Sequence, residues 1–229
     1  MFSEFIGTVL FLWFAFAGTQ AAAQISPEMT PQRLVFICLS FGMSLLVSVW
    51  AHYRISGGLF NPAVTLALVI TKNMPWLRGI LLLPAQILAG IVAAALVQCM
   101  FPGPIATVTT LSLGTSVAQG IFIEAFGTAL LVFTILMLAA EKHEATPIAP
   151  VGIGLALFVA ELACVLYTGG AVNPARALGP SVVAPDFPGY HYIYWVGPLI
   201  GSLMASGYYG WCRSVNYWEV NPGQDAKRQ

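Results

Sequence analysis

Two stretches of this chain share residue types and spacing: Gly57-Gly58-Leu59-Phe60-Asn61-Pro62-Ala63 and Gly169-Gly170-Ala171-Val172-Asn173-Pro174-Ala175. Neither contains a nucleophile beside a base. What each offers is an amide, with two N–H donors and one acceptor oxygen on Asn61 and on Asn173. Asn followed by Pro is a helix start. The Asn side chain caps free backbone N–H groups, and Pro at the first helical position lacks an N–H that would find no partner there. The glycine pairs before each start allow a tight backbone path. Asn61, Pro62, Ala63 and Asn173, Pro174, Ala175 therefore read as two helix starts presenting hydrogen donors, and Arg176 directly follows the second. Glu4, Glu124 and Glu161 lie inside apolar runs, where a carboxylate is costly and needs a structural or functional reason.

The elements that must position these residues are membrane helices. Of 229 residues, 58% are hydrophobic and only 8% charged, and the mean hydropathy is +0.81. A soluble domain carries roughly 25% charged residues, so this chain cannot cover a water-facing surface. A membrane helix needs about 20 apolar residues. Six runs qualify: 2–23, 33–53, 77–100, 117–140, 147–167 and 190–212. The first lacks a basic leader region and reads as a retained span. Two shorter apolar runs, 61–71 and 173–184, open with the Asn-Pro-Ala triplets and are too short to cross.

Other chemistries find no support. Cys38, Cys99, Cys164 and Cys212 are widely separated and form no CxxC pair, so they read as small buried hydrophobes. His52, His143 and His191 are scattered, and no metal or cofactor site is expected. The net charge is zero, which gives no reason for a nucleic-acid partner.

An internal repeat organises the chain. Glu4-Phe5-Ile6-Gly7-Thr8 returns as Glu124-Ala125-Phe126-Gly127-Thr128, 120 residues later. Asn61 and Asn173 lie 112 residues apart, as do Gly42 and Gly154. The expected organisation is a first repeat over 1–115, a second over 116–213, and a polar cytoplasmic tail over 214–229, all in one domain. Each repeat has three spans, an odd number, so the second crosses the membrane in the opposite sense. Inverted repeats of this kind place their shared site at the midplane. Arg54, Lys72, Arg78, Lys142, Arg213, Lys227 and Arg228 fall on the side of both termini, which places that side in the cytoplasm.

The two short runs then enter from opposite faces, with their N-termini meeting near the middle. At 1.5 Å per residue the pair spans about 32 Å, close to the roughly 30 Å hydrocarbon core. Each helix N-terminus carries roughly half a positive charge. Two aimed at one point repel cations, while the two amides offer donors to a neutral solute. A water held by both must turn its hydrogens away, which interrupts a proton wire.

Both Asn-Pro-Ala boxes, Arg176 after the second, the repeated Glu4 and Glu124, and the six-span spacing together resemble the major intrinsic protein family of aquaporins and aquaglyceroporins. The resemblance covers most of the chain and implies an all-α membrane protein of six transmembrane helices and two re-entrant half-helices. It implies a homotetramer with one pore per subunit, in the plasma membrane, passing water and small neutral solutes such as glycerol. It gives Glu4 and Glu124 the task of accepting hydrogen bonds from the re-entrant loops.

The resemblance also places a four-residue outer constriction at Phe41, Glu161, Gly170 and Arg176. Here the chain departs from the family. Water-selective members carry Phe, His, Cys and Arg, and glycerol-conducting members carry Trp, Gly, Phe and Arg. Glu161 stands in place of His, and Gly170 brings no side chain. Leu59 stands where a His is common, so a less polar inner vestibule is expected. Opposite charges at Glu161 and Arg176 raise the expectation that conduction responds to pH. Gly170 argues for a wider opening, whereas Phe41, Ala177 and Tyr194-Trp195 argue for the water branch. The reading is a channel for water and small uncharged solutes. Its alternatives are a strictly water-selective channel and a proton-coupled transporter that uses Glu161; an enzyme is not expected.

Overall fold

The structure is a computed structural model and describes residues 1–224. Lys227 and Arg228, assigned above to the cytoplasmic tail, lie outside the described residues. Six long helices form the bundle: α1 (Phe2–Ile25), α2 (Pro31–His52), α4 (Trp76–Met100), α5 (Val117–Ile135), α6 (Ala149–Thr168) and α8 (Ile193–Ser214). Two short helices, α3 (Pro62–Ile70) and α7 (Pro174–Val183), lie between them. A π-helical turn at Leu136–Ala140 extends α5, and a 3₁₀ turn at Thr146–Ile148 leads into α6.

Five of the long helical segments are long and apolar enough to cross a membrane. The sixth, α8, has 22 residues but is diluted by glycines, serines, tyrosines and Arg213. It packs along α5, its neighbour within the second half, as α4 packs along α1 in the first. The outer surface is apolar: Phe14, Val47, Leu88, Phe122, Phe126 and Leu203 are all at least half exposed. Such a surface is tolerable against hydrocarbon rather than water.

The two halves interlock along an approximate two-fold relation. Helices α2 and α6 cross at Gly42 and Gly154, where a Cβ on either glycine would press on the carbonyl of the other, at 2.8 and 2.6 Å. The half-helices reach across the bundle: α7 packs against α4, and α3 packs against α8 as well as α4. Ser202 of α8 donates to the Ala63 carbonyl at the start of α3, at 2.8 Å. A Cβ on Gly90 of α4 would collide with the Ala175 carbonyl at the start of α7.

Element bounds differ from the sequence reading by a few residues at each end. The largest shift is at α5, which ends at Ile135 rather than 140 because the last five residues form the π-helical turn; α8 starts at Ile193 rather than 190. Tyr190, His191 and Tyr192 are apolar enough to extend the run, yet they form the turn that leads into the helix.

Candidate functional site

Asn61 is the N-cap of α3, and its side-chain oxygen accepts from the Ala63 N–H at 2.8 Å. Asn173 caps α7 in the same way, accepting from Ala175 at 2.9 Å and Arg176 at 3.4 Å. The other end of each amide crosses to the opposite half. Asn61 Nδ2 donates to the Val172 carbonyl, and Asn173 Nδ2 donates to the Phe60 carbonyl, both at 2.9 Å. These reciprocal bonds set the two helix N-termini face to face. Each amide spends one N–H on the crossing and keeps a second. Both side chains line the same narrow cavity.

The loops that deliver the two caps are held by buried carboxylates. Glu4 is fully buried and accepts from Ser56 Oγ at 2.6 Å, from Leu59 and Phe60 N–H at 3.1 and 3.0 Å, and from Gln86 Nε2 at 3.1 Å. Glu124, equally buried, accepts from Thr168 Oγ1 at 2.6 Å and from Ala171 and Val172 N–H at 3.0 and 2.6 Å. The loops need this support because their backbone is unfavourable: Phe60 and Val172 sit at φ of 52° and 54°. A left-handed conformation is a genuine cost for a β-branched or bulky residue. The carboxylates meet the N–H groups that this path leaves without helical partners.

Arg176 is fixed on several sides. Its Nη1 donates to the Thr107 carbonyl at 2.6 Å and its Nη2 to the Gly169 carbonyl at 3.1 Å. Its guanidinium lies 4.9 Å from the Phe41 ring centroid and 5.5 Å from that of Phe16. Nε meets no acceptor. Glu161 is fully buried on α6 and lines the same cavity as Arg176, but the two form no ion pair. Both Glu161 oxygens lack a hydrogen-bond partner in the protein. The carboxylate instead occupies the space beside Gly170, where a Cβ would collide with Oε2. Gly170 has φ of +61°, so two conditions favour glycine there. The structure thus brings Phe41, Glu161, Gly170 and Arg176 to one level of the bundle.

The space between these groups is small. The cavity that Asn61, Asn173, Arg176, Glu161 and Phe41 share measures about 10 Å³, near the minimum that admits one water. Leu45, Val49, Leu59, Val64, Leu131 and Leu157 give the same cavity apolar walls. Toward the end of the bundle that carries Met1 it meets a cavity of about 340 Å³, lined by Tyr53, Ser56, Asn73, Arg78, Lys142 and neighbours. Leu59 lines both spaces.

Sequence reasoning missed three supports. Gln86 on α4 bridges Glu4 and Thr65. Gln20 on α1 donates to the Pro102 and Pro104 carbonyls and accepts from Ala106 N–H at 2.8 Å, fixing the segment whose Thr107 carbonyl holds Arg176. Tyr194 donates to the Thr168 carbonyl at 2.8 Å. A buried glutamine in an apolar run is the same signal as Glu4 and could have exposed the first two.

A helical bundle with two opposed half-helices at a shared central cavity defines a class of membrane channel-like proteins. A sequence model described as Major intrinsic protein matches residues 1–209, and the chain belongs to that family of membrane channels. Among curated relatives it is 55% identical to "Aquaporin-7" of Botryotinia fuckeliana, over 99% of this chain and 52% of that protein. It is 52% identical to "Probable aquaporin-3" of Gibberella zeae, over 97% of this chain and 80% of that one. The chain thus spans about half the length of the first of these relatives. The X-ray structure of the aquaglyceroporin from Plasmodium falciparum superposes with a TM-score of 0.79 at 20% identity, covering 94% of this chain and 98% of that one. That similarity shows the fold.

Proposed function

We propose that the chain is a passive membrane channel that conducts water and small uncharged solutes and excludes protons and ions. One observation carries the reading: the half-helix N-termini meet at a water-sized cavity that both cap amides line. Asn61 and Asn173 each keep an N–H for the oxygen of a passing solute. The two N-terminal dipoles, roughly half a positive charge each, and the Arg176 guanidinium repel cations at that point. A water accepting from both amides cannot relay a proton through the pair. The apolar walls of that cavity offer few competing bonds.

In this reading Phe41, Glu161, Gly170 and Arg176 form the outer constriction, and Glu4 and Glu124 hold the re-entrant loops. Residues 1–115 and 116–213 are the two repeats, and four copies assemble with one pore each. The termini lie in the cytoplasm of a plasma-membrane protein, consistent with Arg54, Lys72, Arg78 and Lys142 at that end. No enzymatic chemistry is assigned.

A strictly water-selective channel is the second reading. Its support is the cavity of about 10 Å³ beside the seated Glu161. Proteoliposomes subjected to an osmotic jump separate the two. Fast shrinkage with an impermeant osmolyte, followed by fast reswelling when glycerol replaces it, supports the wider reading. Fast shrinkage without glycerol reswelling supports the narrower one, and shrinkage no faster than in empty vesicles removes both.

A further inference from the structure

Arg78, near the start of α4, stands between two spaces at the end of the bundle that carries Met1. One is the cavity of about 340 Å³ described above, and the other is a surface groove of about 450 Å³ between the first turns of α1 and α4. Its Nη2 donates to the Ser56 carbonyl at 2.6 Å, which leaves four of its five N–H donors. It forms no ion pair among the described residues. Arg54, which adjoins Ile55 in the turn after α2, is likewise exposed and without an ion pair among them. The carboxylate in the groove wall, Glu4, is fully buried and turns both oxygens to four inner donors. The open side of the groove therefore carries positive charge that no exposed carboxylate among the described residues pairs.

The other walls are apolar. Ile55, Leu77 and Leu81 are 71%, 56% and 45% exposed, which is costly against water and not against hydrocarbon. Trp76, 65% exposed beside them, marks the depth at which indole rings meet headgroups. With the termini in the cytoplasm, as proposed above, the groove faces the leaflet that holds anionic lipids.

We propose that this groove binds an anionic phospholipid, with its phosphate on Arg78 and one acyl chain along Ile55, Leu77 and Leu81. A guanidinium meets phosphate through two parallel N–H bonds. A zwitterionic lipid brings the same phosphate but also a cation beside Arg78 and Arg54, and binds less well. The site reaches the pore loop through few bonds. Arg78 holds the Ser56 carbonyl, Ser56 Oγ donates to Glu4, and Glu4 accepts from Leu59 and Phe60, the residues just before Asn61. A lipid that orders Arg78 therefore steadies the loop that delivers the cap of α3.

The purified full chain in detergent is titrated with phosphatidylglycerol or phosphatidylcholine of identical acyl chains, and bound lipid is counted by native mass spectrometry. The expected wild-type preference for phosphatidylglycerol is at least about fivefold, the scale of one basic residue at an anionic surface. Phosphatidylglycerol should also raise the unfolding midpoint more than phosphatidylcholine does. Arg78→Gln is expected to bring the preference close to one, and Arg78→Lys to keep most of it. Lys72→Gln removes a charge at the same end but outside the groove, and should leave the preference as in wild type. Leu77→Trp fills the trough with Arg78 intact and should lower binding of both lipids severalfold. A wild-type preference near one, a preference unchanged in Arg78→Gln, or an equal drop in Lys72→Gln overturns the inference. Where Arg78→Gln does not fold, undiminished binding to Leu77→Trp overturns it. The binding readout needs no flux, so the channel reading stands or falls separately.

Discussion

Asn61 and Asn173 hold each other's loops: each amide caps its own half-helix through oxygen and bonds the carbonyl just before the other cap through nitrogen, at 2.9 Å in both directions. The cap and the crossing can therefore be separated by chemistry. Asp retains the capping oxygen but has no N–H.

Asn61→Asp is expected to keep α3 capped, lose the bond to Val172, and add a negative charge against the roughly one positive charge that two N-termini supply. Proton leak, read from an entrapped pH dye, should rise severalfold over wild type. Asn173→Asp should do the same through the Phe60 carbonyl. A leak no greater than wild type in both variants argues against the dipole barrier.

Glu124 accepts three bonds, two of them from N–H groups that have no helical partner. Gln offers a single acceptor oxygen and turns an NH₂ toward donors. Glu124→Gln should cost about 3 kcal/mol or more, at about 1.5–3 kcal/mol for each charged bond weakened. The unfolding midpoint in detergent would show it, and Glu4→Gln should behave alike.

Gln20 acts at a distance from the cavity. Gln20→Leu removes three bonds to the segment 102–106 and so loosens Thr107, which anchors Arg176. The expected loss is about 2–3 kcal/mol at about 1 kcal/mol per bond. Water permeability per channel should fall with it; unchanged permeability would show that Arg176 stays in place without this strap.

His191 lies in the turn before α8, its ring 5.1 Å from Phe187 and 5.5 Å from Tyr194, with no partner for either nitrogen. Burial holds its pKa below the ordinary value of 6.5. The folded state thus favours the neutral ring. The His191 contribution is complete above pH 6.5 and is lost as pH falls through the lower folded value. A stability profile from pH 8 to 5 should decline on the acid side in wild type and decline less in His191→Leu.

Much of the architecture was legible because its signals are local. Asn-Pro two residues after a glycine pair states a helix start in six residues, and an odd number of spans per repeat forces the inversion. The turn Tyr190–Tyr192 was not legible, since aromatic residues read as membrane whether or not they are helical. Nor was the π-helical turn at Leu136–Ala140, which lies in an apolar run with no glycine or proline to mark it. At the cavity, residue identities could be aligned from sequence. The seat of Glu161 could not, because it depends on a side-chain rotamer set against a loop on another element.

The reach of the half-helices across the bundle bears on how the protein is made. A nascent chain that has delivered α1 to α4 holds α3 without α8, the helix against which Ala63 and its neighbours pack. It also holds Asn61 without the Val172 carbonyl. The first half-helix then has only α4 to pack against, and its cap amide completes its bonds once the second half is in place. Completion of the pore is thus a closing event between halves rather than a sum of two finished halves.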